Sequence, residues 1–246
     1  MNAKNILSGM LLLVFLFSNN YSIAQEKKEK SKIITTIQIK VVKGKEKEFE
    51  KAVLAHNEKF HKEGTHQAFL RVILTGPKAG SYTWLTGPKT FSDFDSAPGE
   101  GAHDDDWSNN VDQYVKHYGT IEHWKRNEEL SFTAPDTEGQ KMSQVWFIDV
   151  KNGKNNQFEK VLATAIKVTK KAGTDSVFTF NTQFSAGDGR DVAMVFSMES
   201  WASFDEEDNF YKDYEAMHGE GSFQRFIEDW TDVTNGMVQV ITKLVE

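Results

Sequence analysis

The feature that most constrains this chain is an internal echo. The segment "GKEKEFEKAVLAHNEKFHKEGT", Gly44 to Thr65, returns without a gap as "GKNNQFEKVLATAIKVTKKAGT", Gly153 to Thr174. Eight of the 22 positions are identical, where ordinary composition supplies roughly one or two. Both copies carry a helical apolar stripe: Phe49, Val53, His56 and Phe60 in the first, Phe158, Leu162 and Ala165 in the second. Each stops at "GT", which predicts Gly64 and Gly173 as left-handed helix caps.

The flanks repeat in the same order. "TTIQIKVV" alternates Ile37, Ile39 and Val41 on one face, and "SQVWFIDV" reads as a more fully buried strand. Two further strands follow each helix, around a Gly-Pro turn in one half and "SAGDGR" in the other. "TFSDFD" then matches "SWASFD", and a second helical region closes each half. Its apolar face in the first half is Trp107, Val111, Tyr114, Tyr118 and Ile121, and Trp124 or Trp230 precedes a last strand. Each half thus reads β-α-β-β-α-β. The expected organisation is a signal peptide at 1–24, a charged tail at 25–32, one repeat at 33–133, a linker at 134–142 and a second repeat at 143–246.

The leader carries one Lys, the apolar run "MLLLVFLF" and a Ser22-Ile23-Ala24 ending, the pattern of a secretory signal cut before Gln25. The run is too short to span a bilayer, so export to a periplasmic or extracellular space is expected, with no membrane insertion after cleavage. The chain has no Cys, so neither a disulfide nor a thiol nucleophile is available. Without the leader, 28 basic residues face 36 acidic ones. An acidic surface with no basic cluster excludes nucleic-acid partners.

One β-α-β-β-α-β unit of this size resembles the dimeric α+β barrel superfamily, which includes antibiotic-biosynthesis-monooxygenase-like and haem-degrading proteins. The resemblance covers residues 33–245. It implies an α+β fold of two tandem ferredoxin-like repeats, their antiparallel sheets packed face to face as an intrachain barrel, because neither half can bury its apolar sheet face alone. A monomer with this internal pseudo-dimer, or a homo-oligomer of it, follows. Haem-degrading members carry Phe-x2-Trp-x5-Phe-x3-His in a helix. The second half runs Trp201-x2-Phe204-x5-Phe210-x3-Tyr214, so Trp has become Phe and His has become Tyr; His218 lies one turn on, beside Gly219. Haem is therefore disfavoured and no cofactor is expected. In the first half "SAPGEGAHDDD" breaks the frame, although Trp107 and His117 recover a ten-residue Trp-to-His separation.

Six of the seven His lie in the first half, at 56, 61, 66, 103, 117 and 123. His56 occupies the buried stripe where the second copy has Ala165, so it needs a partner or a ligand; a satisfied core histidine is the alternative. "HNEKFH" approaches a zinc helix, but His56 and His61 are five apart, roughly 140° around a helix, so no metal site is expected. The acids of "HDDDW" suit the start of a helix, with a hard cation such as calcium as the alternative. Arg71 in "FLRVIL" and Trp84 in "YTWLT" are candidates to line a pocket, Arg71 pairing an acidic ligand and Trp84 stacking on a flat one; Trp107 joins them. Two functions follow. One is binding of a small, largely apolar molecule in a helix–sheet pocket of the first half. The other is a cofactor-independent monooxygenase or isomerase with His56 or His117 as base and Arg71 holding an anion. Convergence of His56, Arg71 and Trp84 on one cavity separates them.

Overall fold

A computed structural model describes residues 32–96, 101–135, 137, 139–184 and 188–246. The expected signal peptide and nearly all of the charged tail lie outside the described residues. The rest forms eight strands and five α-helices: β1 Ile33–Val41, α1 Glu46–Phe60, β2 Ala68–Ile73, β3 Tyr82–Lys89, α2 Ala102–Asn110, β4 Val115–Phe132, β5 Met142–Val150, α3 Asn155–Ala172, β6 Val177–Thr182, β7 Val192–Met198, α4 Phe210–His218, α5 Ser222–Val233 and β8 Thr234–Leu244. No helix among the described residues is long and apolar enough to cross a membrane.

All strand pairs are antiparallel, and they close a barrel in the order β1-β3-β2-β8-β5-β7-β6-β4. The expected intrachain barrel of antiparallel sheets is present, and its two sheets are hydrogen-bonded into one closed ring. Their edges are joined, because unpaired edge N–H and C=O groups find partners across both seams. One seam sets Arg71, Val72 and Ile73 of β2 against Leu244, Lys243 and Thr242 of β8. The other runs from Trp124–Thr182 to Phe132–Val177, with a register shift between Asn127 and Phe132.

Strand alternation divides the side chains between the lumen and the helix layer. On β2, Phe69, Arg71 and Ile73 turn inward, while Leu70 joins Ile39, Val41, Phe49, Val53, Tyr82 and Val111 beneath α1. In the second half Phe158, Leu162 and Ile166 of α3 seat on Ile148, Val177 and Val192. Burial of each such side chain contributes about 1.5–3 kcal/mol.

Two boundaries depart from expectation. Gly173 is the left-handed cap of α3, φ 70°, but α1 ends four residues before Gly64, at Phe60. The helix expected to carry Trp107 through Ile121 stops at Asn110. From Val115 the chain is strand, paired with β1 along Ile33–Val41, and that pairing overrides a helical spacing of aromatics. Trp124 therefore lies inside β4, whereas Trp230 is helical. The expected linker is also pinned: the Ala134 N–H donates to Ser176 Oγ at 2.8 Å, and β5 begins at Met142.

Candidate functional site

The helix layer of the first half gathers three imidazoles. His56 sits on the inner face of α1, anchored by Phe49 and Val53, and is 1% exposed. Its Nδ1 lies 2.9 Å from Asp106 Oδ2 of α2, and Lys59 donates to the other oxygen of that carboxylate at 3.3 Å. His61 follows the last residue of α1 with φ −135° and ψ 24°. His56 and His61 therefore meet, contrary to the expectation from a helix running through His61. The chain turns out of the helix, and the two rings approach to 5.2 Å between centroids. His103, the second residue of α2, completes the group with its Nε2 3.0 Å from His61 Nε2. One ring nitrogen from each of the three lies within 4.8 Å of the other two.

The Nδ1 of each ring meets an oxygen. His61 Nδ1 is 2.7 Å from the His66 carbonyl, and His103 Nδ1 is 2.9 Å from Asp104 Oδ1. His56 Nε2 is buried and has no hydrogen-bond partner. Burial pushes the His56 imidazole below its ordinary value, with the Asp106 bond pulling the other way. Burial drives His61 down to about 4. Both rings are thus neutral near pH 7. Asp106 is held below the usual carboxylate range, chiefly by its bond from His56. Asp104 and Asp105 occupy the first turn of α2, as their helix-start role required.

Aromatic rings wall the group. Trp84 donates Nε1–H to Asn57 Oδ1 at 3.0 Å and lies 5.1 Å from both His61 and Trp107. Trp107 meets His56 edge-on at 5.0 Å and donates to the Tyr118 hydroxyl at 2.7 Å. His56, Trp84 and Trp107 therefore converge. Arg71 does not, because its side chain enters the lumen on the opposite face of β2. There it donates to Thr242 Oγ1, Ser143 Oγ and the Lys141 carbonyl, each at 3.0 Å, so it clamps the β2–β8 seam and cannot hold an anion formed at His56. His117 is exposed beside Lys40, on the face of β4 opposite Tyr118.

The lumen holds a separate cavity of about 570 Å³, walled by side chains that include Phe69, Leu85, Trp124, Phe147 and Val240. Arg190 projects into it, donating to Glu122 Oε2 at 2.9 Å with its guanidinium carbon 3.7 Å from the Phe147 ring centroid. Burial raises the Glu122 carboxyl and lowers Arg190, each against the pull of the other. The guanidinium stays charged because its ordinary value is so high. The expected helix–sheet pocket of the first half is thus filled by rings, and the roomy apolar space is the lumen.

His61, His103 and Asp106 were missing from the candidate residues. The surplus of His in the first half was the available signal, but only the ending of α1 and the docking of α2 turn it into a cluster.

No protein-family model and no curated protein matches the sequence. Solved structures share its fold. A provisionally named monooxygenase from Lactobacillus acidophilus NCFM matches with TM-score 0.56 at 8% identity, covering 88% of this chain and 95% of that one. A second, from Fusobacterium nucleatum subsp. nucleatum ATCC 25586, matches with TM-score 0.56 at 11% identity over 89% and 94%. A haem-binding protein from Thermus thermophilus matches with TM-score 0.52 at 7% identity over 88% and 92%. That last likeness overturns the expectation that haem is disfavoured and that no cofactor is needed. At such identity the loss of one helical motif in the second half decides nothing, and a buried, unpartnered imidazole nitrogen in the first half is donor chemistry that fits iron. The chain shares the fold of these structures, a mixed α+β architecture in which an antiparallel eight-stranded barrel carries helices outside.

Proposed function

We propose that the chain is an oxygenase acting on a small, flat, largely apolar molecule, with the imidazole group of the first half as its reaction centre. The observation that carries this is His56, a neutral buried imidazole whose Nδ1 is held by Asp106 and whose Nε2 has no partner. Such a nitrogen accepts a proton from an activated C–H or O–H, and Asp106 stabilises the imidazolium that forms. Trp84 and Trp107 pack directly against the imidazoles, so a planar substrate would approach the group from its open side and meet aromatic rings there. His103, whose side chain is 17% exposed, marks the open side. The names of the two monooxygenase-like structures support the reaction class. A bound iron ion would supply activation of O2, and the imidazoles of the first half are the residues that would hold it.

Oxygen uptake by the purified full-length protein, with a set of planar hydroxyaromatic compounds, tests the proposal. Substrate-dependent uptake should fall about 10²–10⁴-fold in His56→Ala. Absence of uptake across the set, or uptake unchanged in that variant, rejects it.

A second reading is favoured by the lumen. Its volume and apolar wall suit storage or binding of one small apolar molecule, with Arg190 and Glu122 at a polar end. Mass spectrometry of molecules that copurify with the native protein tests it. The halves are tandem copies of one ferredoxin-like unit, a reading supported by the matching strand orders β4-β1-β3-β2 and β8-β5-β7-β6 around the ring. Residues 1–24 are a signal peptide, which N-terminal sequencing of the mature protein beginning at Gln25 would support.

A further inference from the structure

The reaction centre proposed above leaves an electrostatic question in its middle. The Nδ1 atoms of His56, His61 and His103 face a carboxylate, a carbonyl and a carboxylate at 2.7–2.9 Å. Acceptor oxygens demand a proton on each Nδ1. Where both rings are neutral this leaves each Nε2 as a bare lone pair, and His61 Nε2 and His103 Nε2 then confront each other at 3.0 Å with no proton between them. The third lone pair, on His56 Nε2, is buried and unpartnered. Three mutually repelling lone pairs fixed by three oxygen partners form an arrangement that a cation resolves.

We infer that His56, His61 and His103 form a three-nitrogen site for a divalent first-row transition ion, with Asp106, the His66 carbonyl and Asp104 orienting the ligands. Imidazole selects zinc, iron, copper or nickel over calcium and magnesium. Tetrahedral bonds of ~2.0–2.1 Å set nitrogens about 3.4 Å apart, between the 3.0 Å of the His61–His103 pair and the 4.8 Å that bounds the group. Small ring rotations suffice to reach it. A carboxylate or carbonyl behind each ligating imidazole is the outer shell that metal-binding histidines carry. Three protein ligands leave a fourth position open, as in catalytic rather than structural sites.

The site uses the same residues as the proposed oxygenase, and an ion on His56 Nε2 takes the lone pair that would otherwise act as base, so the two roles are alternatives at that atom; the test of the metal site does not depend on turnover. Chelator-treated full-length protein is titrated with Co2+, whose visible absorption reports nitrogen ligation, and with Zn2+ in competition. One ion per chain should bind, displaced by Zn2+ and not by a large excess of Ca2+ or Mg2+. Asp106→Asn should weaken binding about tenfold or more, and His103→Ala at least as much, with circular dichroism establishing that both variants fold. The exposed His117→Ala should change nothing. Binding that survives His103→Ala, equal competition by Ca2+, or a protein isolated with a Soret band and no room for Co2+ would overturn the inference. A bound ion with no oxygen uptake would reject the oxygenase reading and leave the metal site standing.

Discussion

Arg190 donates to Glu122 at 2.9 Å inside the barrel lumen, with side chains 16% and 6% exposed. Removing one member of a buried pair strands the other charge, at a cost of about 3–5 kcal/mol. Glu122→Gln should lower stability by roughly that amount in urea denaturation. The double variant Glu122→Leu, Arg190→Met should recover most of the loss. Equal instability of the single and double variants would show that volume rather than charge governs the lumen.

His56→Ala should cost less than about 2 kcal/mol in the same assay. The matching residue of α3 is already Ala165, and Asp106 keeps its contact with Lys59. A loss of about 4 kcal/mol or more, on the order expected for a core truncation, would make His56 a structural residue.

The His123 imidazole is pushed below its ordinary value by burial first and by Lys89 second, while its Nδ1 contacts Thr35 Oγ1 at 3.0 Å. The unfolded chain therefore binds a proton that the folded chain does not. Stability is lost as pH falls from about 6.5 to the folded value. Denaturation midpoints at pH 7.5 and 5.5 should differ more in the wild type than in His123→Gln, and a parallel decline would assign the loss to other groups.

Gly87 sits in β3 at φ 122°, where an added Cβ would come within 2.5 Å of the Ile33 carbonyl oxygen. Gly87→Ala should destabilise by about 1–3 kcal/mol and loosen the β1–β3 ladder, seen as faster amide exchange in Ile33–Val41. Unchanged exchange would mean that the backbone absorbs the methyl elsewhere.

Each half expressed alone should aggregate or self-pair, because it exposes a lumen face and two strand edges that the intact ring pairs. A stable monomeric half would contradict the closed barrel as the folding unit.

The two long helices and most strands were legible because their apolar periodicity is strong and local. Phe49, Val53, Phe158 and Leu162 announce the buried faces of α1 and α3, whereas the strand holding Arg71 was legible but the side of the sheet to which Arg71 turns was not. The end of α1 was not legible, since Gly64 resembles the true cap Gly173 while the exit at His61 is a backbone conformation rather than a residue type. The long β4 was hidden for another reason. Val111, Tyr114, Tyr118 and Ile121 fit a helical stripe, and only hydrogen bonding to β1, some 80 residues earlier in the chain, makes the segment extended. His103 joins His56 and His61 through the docking of α2, a tertiary event without a sequence signature.

The position of β8 has a consequence for biosynthesis. It bridges β2 and β5, so a ribosome must translate through Leu244 before the ring can shut. Until then a nascent chain displays Phe69, Trp124 and Phe147 to solvent, and its demand for chaperone protection should end abruptly with the emergence of the final strand.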